Sequence, residues 1–301
     1  MNVLLLPFDG NRSAELIAEE VPQEEATKED TTCSYLQDLK RINNRTSLSW
    51  TARALAQSNQ VQNVQVVCEA EYHEELRLEL PDDQRFQLVD FGIGEFSEIE
   101  NESLFEQLTC AEEIARKQIK NPTLVTSCAT PHWTGDIYDD VISHIRDSNL
   151  DSALFYIQDK NVRPKSQEVT YNPLLFCKNP VYVLPMMIVG PEFVLGASSQ
   201  FEKFSPDLKR LMEAEEKYDI LERHKAHGFS TMFPIGWKAV KTLGVGFLWR
   251  LMKRSLTPAI LENQIKRLFN CRFEFVELNE PHLALSLSND THHAKIEALL
   301  S

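Results

Sequence analysis

Apolar positions along the 301-residue chain follow two periods. Short runs at 2–6, 64–68, 124–127, 153–157 and 181–189 are rich in β-branched and aliphatic residues and read as strands. Pro185 interrupts the last of these, and Arg272 to Leu278 alternates like one strand more. Between them the period changes to that of a helix. Leu48, Ala52, Leu55 and Ala56 share one face of a helix over 46–59, with Thr46 or Ser47 as its N-cap. Leu104, Leu108, Ala111, Ala115 and Ile119 mark a second helix over 98–119. Further helices are predicted over 136–147, 206–227 and 290–300, and an acidic loop over 11–34. Strands separated by helices predict an α/β fold, a doubly wound and mostly parallel sheet covered on both faces. A strand and a helix return after 206–269. That block therefore reads as a C-terminal helical insertion within a single domain spanning 1–301.

Composition narrows the classes. With 43% hydrophobic and 25% charged residues the chain is globular rather than disordered. Forty-five acidic residues against 31 basic ones give −14, which repels phosphates and argues against nucleic acid as a partner. No apolar run approaches the roughly 18 residues of a membrane span. Residues 1–7 lack the positive start of a signal peptide, so a cytoplasmic location is expected. The six cysteines are scattered, with no C-x-x-C pair, and Cys68, Cys128 and Cys271 fall in or beside strand-like runs as buried thiols. His224 and His227 could share a helix face but have no third ligand nearby, and His292 and His293 are adjacent, so they point apart.

In open α/β sheets ligands bind beyond the carboxyl ends of strands. The loops after residues 6, 68, 127, 189 and 285 are the places to search. Gly92-Ile93-Gly94 and Gly244-Val245-Gly246 are set aside as phosphate loops. The first stands in no strand–helix turn and has Ser97 where a third glycine belongs; the second lies within a helical pattern.

The order of pieces resembles the MobA-like and cytidylyltransferase-like nucleotidyltransferases. Five stretches carry the resemblance. Val3 to Gly10 stands where that family has a strand and glycine-rich loop. Asn44-Arg45-Thr46-Ser47-Leu48-Ser49-Trp50 resembles its "G-R-P-M-L-x-W" helix start. Leu124 to Pro131, with Asp136 and Asp139-Asp140-Val141, resembles the strand–Pro–helix unit that carries a metal aspartate. Val189-Gly190-Pro191-Glu192-Phe193 resembles an "L-x-P-E-L" turn. Leu243 to Arg250, Leu256-Thr257-Pro258 and Lys266 to Phe269 resemble a helical segment of one bacterial subgroup. The resemblance implies a doubly wound fold of glycosyltransferase-A type. It also implies attack of a phosphorylated small molecule on an NTP, with donors, a cation and carboxylate-held Mg²⁺ around the phosphates.

Against that pattern the chain is deficient. Phe8-Asp9-Gly10 replaces the glycine pair, and Gln37 stands at the phosphate-binding lysine, unless a register slip brings in Lys40 or Arg41. Ala129 stands at the metal aspartate before "x-Pro", and Val183-Leu184-Pro185 at a Gly-Gly-Asn. The late "D-V-D-K-P" metal motif falls on Ser286-Leu287-Ser288-Asn289-Asp290. These losses predict a binding, scaffolding or regulatory protein that keeps the fold without the chemistry, with no cofactor and no metal. Phe8, Asp9, Gly10, Asn11, Arg12 and Ala129 would then line a residual nucleotide site. The alternative is an active enzyme with an NTP and Mg²⁺, in which Asp9, Arg12 and Asp136 act and Asp139 and Asp140 hold the metal. A competing assignment makes Asp136 a helix cap, with Asp139 and Asp140 acids of the first turn. A third reading, a glycosyltransferase of the same fold class, lacks an evident Asp-x-Asp motif after an apolar strand.

Residues 237–272 hold Lys238, Lys241, Arg250, Lys253, Arg254, Lys266, Arg267 and Arg272 against Glu262 alone, interleaved with Trp237, Phe247 and Trp249. Such a segment suits a membrane surface, a partner protein or packing on the sheet. With the acidic loop at 15–30 it is a candidate surface for a partner or for self-association.

Overall fold

A computed structural model describes residues 1–7, 39–68, 70–90, 115–162, 178–179, 181–217, 240–287 and 290–301. The acidic loop, the His224–His227 pair and most of the helix expected over 98–119 lie outside the described residues.

The chain opens with strand β1 (Asn2–Leu6). A small hairpin, β2 (Arg41–Ile42) and β3 (Arg45–Thr46), precedes helix α1 (Ser47–Gln57). Asn43 and Asn44 at the hairpin's tip have φ of 51° and 63°, the left-handed pair that a two-residue turn demands and asparagine tolerates. Thr46 caps α1 as expected, its hydroxyl accepting from Ser49 N–H at 3.1 Å. Then follow β4 (Asn63–Val67), α2 (His73–Arg77), β5 (Phe86–Val89), β6 (Thr123–Ser127) and α3 (Gly135–Asp147). Next come β7 (Ser152–Gln158), α4 (Asp159–Val162), β8 (Val181–Val189) and α5 (Pro191–Lys217). The rest is α6 (Val245–Met252), α7 (Pro258–Phe269), β9 (Phe273–Glu277) and α8 (His293–Leu299).

Seven strands form one sheet in the order β5-β4-β1-β6-β8-β7-β9. All neighbours are parallel except β8, which runs against both β6 and β7. The sheet is thus doubly wound and mostly parallel, as the alternation of elements predicts. Pro185 does not end its strand. The β7–β8 register shifts between Leu154 and Tyr156, so the proline sits in a bulge, where its missing N–H costs little.

One sheet face, with Val3, Leu5, Val64, Val66 and Leu124, packs beneath Leu48 and Leu55 of α1 and Tyr138, Ile142 and Ile145 of α3. Each such aliphatic burial contributes about 1.5–3 kcal/mol. The other face is covered where Val125, Met187 and Val189 meet Ile119, Phe193 and Val194. At Gly135 a Cβ would lie 2.9 Å from the backbone of Gln57 and Ser58, so α1 and α3 meet closely only because this residue has none.

The helical block starts at Pro191, earlier than the charged pattern suggests, because Pro191 occupies the first helical position. Gly244 is not inside a helix; at φ 85° it caps α6 from a non-helical conformation. No helix among the described residues is long and apolar enough to cross a membrane.

Candidate functional site

Parallel strands place their carboxyl ends on one edge of the sheet. The end of β8 at Val189 lies on the opposite edge because that strand is reversed, so the 189 loop is no part of a strand-end site. The carboxyl-end edge is built from the residues after β6, from the hairpin and α1, and from the segment 281–287.

These three pieces converge. The Leu287 N–H donates to Ala129 O at 2.7 Å. The Lys40 ammonium donates to Leu287 O at 2.7 Å, and Lys40 O accepts from Ser47 N–H at the start of α1. Ile42, Leu285, Leu287 and Ile296 form a small buried cluster beneath, with Trp50 against it and the Trp50 indole donating to Ile42 O. Two positions that the family resemblance pairs around a metal, Ala129 and the stretch that begins Ser286-Leu287, are therefore adjacent here, although they lie far apart in sequence. Lys40, admitted at the outset only through a register slip, reaches the same point.

Histidines hold the segment from the other side. The His132 ring is buried, and its Nε2 lies 2.9 Å from His282 O. A carbonyl only accepts, so Nε2 carries the proton and Nδ1 does not. Burial, aided by the neighbouring His282 and His292 and only partly opposed by that bond, depresses the ring's pKa to about 4. His292 is also buried, and its Nδ1 accepts from Ser286 N–H at 2.9 Å. Sequence reasoning passed over His132 and weighed His292 only as one of an adjacent pair that points apart. The available signal for His132 was a histidine directly after the strand-exit proline, Pro131. Thr130 Oγ1, His132 Nδ1 and Trp133 Nε1 are buried without a hydrogen-bond partner among the described residues. Buried polar atoms normally have partners, so these groups retain capacity for a bound water or ligand group.

The acidic candidates lie elsewhere or make other bonds. Asp9 and Arg12, with Phe8, Gly10 and Asn11, fall outside the described residues. Asp136 is exposed in the first turn of α3 but does not cap it; Thr134 is the N-cap. Asp139 and Asp140 fall in the second turn, not the first, and Asp140 is exposed. The Asp139 carboxylate accepts from Ser58 Oγ, from the amides of Asn59 (3.0 Å) and Gln60 (2.9 Å), and from Asn59 Nδ2 (3.2 Å). Desolvation pushes its pKa up, but these bonds outweigh it and leave the group below the ordinary carboxylate range. It braces the turn that leads into β4, at the edge away from Ala129. On the β7–β9 side, Glu277 accepts from Gln158 Nε2 and Asp159 from the Tyr182 hydroxyl.

Mg²⁺ does not fit the Ala129–Leu287 junction as built. A methyl group stands at the first ligand position and a serine hydroxyl at the next. The Lys40 ammonium lies against Leu287 O, where a second cation would be repelled. Among the described residues, no group of three or more His, Cys, Asp or Glu side chains could hold a metal.

No protein-family model matches the chain, and no curated protein matches it by sequence. Solved structures do. A hypothetical transferase from Thermus thermophilus superposes with a TM-score of 0.50 at 12% identity, covering 97% of this chain and 100% of its own. A 4-diphosphocytidyl-2C-methyl-D-erythritol synthase from Anaerococcus prevotii gives 0.47 at 8% identity, covering 100% and 96%. A nucleotidyl transferase from Methanothermobacter gives 0.42 at 14%, covering 99% and 96%. The chain shares its mostly parallel α/β fold with the Thermus thermophilus transferase structure.

Proposed function

We propose that this protein binds an anionic small ligand or a protein partner, in a scaffolding or regulatory role, on a nucleotidyltransferase fold without metal-dependent phosphoryl transfer. The supporting observation is the junction of Ala129, Leu287 and Lys40. Where transferase chemistry needs carboxylates to hold a divalent ion opposite a triphosphate, this junction supplies a methyl group and one ammonium. Such a set favours an anion without a metal bridge. The buried Thr130, His132 and Trp133 groups add neutral hydrogen-bonding capacity beside it.

Isothermal titration of each of the four NTPs, with Mg²⁺ and with chelator, tests this reading, together with a pyrophosphate-release assay. The expected outcome is weak binding that is indifferent to Mg²⁺, reduced about tenfold or more by Lys40→Gln, with no pyrophosphate. Mg²⁺-dependent binding with pyrophosphate release would instead support an active enzyme, for which Asp9, Arg12 and Asp136 are the candidates to substitute.

A further inference from the structure

The two halves of the basic segment are used differently. Helix α7 packs against α5 and β9, and its cations are engaged. Lys266 pairs with Glu262 at 2.7 Å, and Arg267 donates to the carbonyls of Thr242 (2.8 Å) and Leu243 (3.0 Å). Helix α6 buries no residue at all. Val245, Trp249 and Met252 are spaced i, i+4, i+7 and so share one face, and they are 68%, 56% and 77% exposed. A helix on a protein surface ordinarily turns this stripe inward. Here it faces solvent and is flanked by cations. Arg250, Lys253 and Arg254 are exposed, and the Lys253 ammonium sits 4.6 Å over the Trp249 ring. Arg250 and Arg254 have no ion pair among the described residues, and no acid occurs between residues 240 and 261.

We infer that α6 docks this protein on an anionic lipid bilayer, lying in the interface with Val245, Trp249 and Met252 inserted and Arg250, Lys253 and Arg254 on the headgroups. Tryptophan beside an apolar stripe with cations at its flank is the chemistry of an interfacial helix. A second copy is a poorer occupant. An eight-residue helix is roughly 12 Å long, and one stripe of three side chains falls short of the ~800 Å² per partner of a stable protein interface. The acidic remainder of the chain does not forbid docking, since repulsion is screened beyond about 8 Å at physiological salt.

The test is co-sedimentation of the full chain with vesicles of phosphatidylcholine alone and of an equal mixture with phosphatidylglycerol. Sedimentation velocity without lipid accompanies it. The protein is expected to pellet with the anionic vesicles only, less so at high salt. Trp249→Glu with Met252→Glu, and separately Arg250→Gln with Lys253→Gln and Arg254→Gln, should each weaken partitioning by at least about tenfold. Because all these side chains are exposed, thermal melting should stay unchanged and confirm that the variants fold. Failure to pellet, pelleting unaffected by either set of substitutions, or dimerisation in buffer abolished by the apolar pair would overturn the inference, the last assigning α6 to self-association.

Discussion

The two edges of the sheet are built from different chemistry. At the edge where most strands begin, carboxylates stitch turns together. Asp83 pairs with Arg85 at 2.7 Å, and Arg85 reaches the carbonyls of Ala56, Ser58 and Val61. Asp139 gathers the donors of Ser58, Asn59 and Gln60. Asp151 joins the starts of β7 and β9 by accepting from Arg272 Nε at 3.0 Å and its terminal nitrogen at 2.7 Å. At the other edge Ala129 and Leu287 meet through backbone bonds, one ammonium and two buried imidazoles. The difference shows what an aspartate in a familiar place is for. Asp139 lies in a stretch that resembles a metal-bearing unit, yet its carboxylate is satisfied by a turn 80 residues away in sequence.

The largest expected effect comes from moving carboxylates to the Ala129–Leu287 junction, where Ala129, Ser286 and Leu287 supply none. Ala129→Asp with Ser286→Asp buries new charge and should cost about 3–5 kcal/mol in chelator. Part of that loss should return on adding Mg²⁺, read as a rise in Tm. A Tm that ignores Mg²⁺ would separate Ala129 and Ser286 from any shared ligand position.

Removing a carboxylate from the stitched edge comes next. Asp139→Ala leaves several donors without an acceptor and should lose about 2–3 kcal/mol in urea unfolding. Asp139→Asn should recover part of this, since an amide oxygen still accepts. If Asp139→Ala proves neutral, the turn into β4 does not depend on it.

Acid sharpens the contrast further, because the edges should respond in separate windows. The folded pKa of His132 lies below the ordinary 6.5, at about 4, so the unfolded chain takes up the proton first. Stability is full above pH 6.5 and falls as pH drops towards 4, by up to roughly 3 kcal/mol. His132→Gln should flatten that slope. The Asp83 and Asp151 carboxyls are held below their ordinary 3.8, in each case chiefly by hydrogen bonds from an arginine, Arg85 and Arg272. Their contribution persists above that value and is lost only as pH falls through the lower folded values. A single acid transition confined below pH 4 in the wild type would remove His132 from this account.

Much of the fold was legible because it is local. The apolar runs at β1, β4, β6, β7 and β9 and the Thr46 cap of α1 need only neighbouring residues to be recognised. β5 was missed because Phe86–Val89 is four residues long with Gln87 among them. The reversal of β8 was missed because a β-branched run looks the same in either direction. The candidate site was legible only in its deficits. That Ala129 and Ser286 were the positions to compare came from the resemblance. That Lys40 joins them depends on a bond across 247 residues, which no local pattern records. Asp136 was misplaced as a cap because the extended residue before α3 is Thr134, two positions earlier.

The segment 281–287 follows every strand of the sheet. During synthesis the framework through Glu277 can therefore emerge and pair before the piece that covers Ala129 leaves the ribosome. The strand ends pass through an uncovered stage, and a chain ended near Glu280 would remain at it with its sheet strands intact.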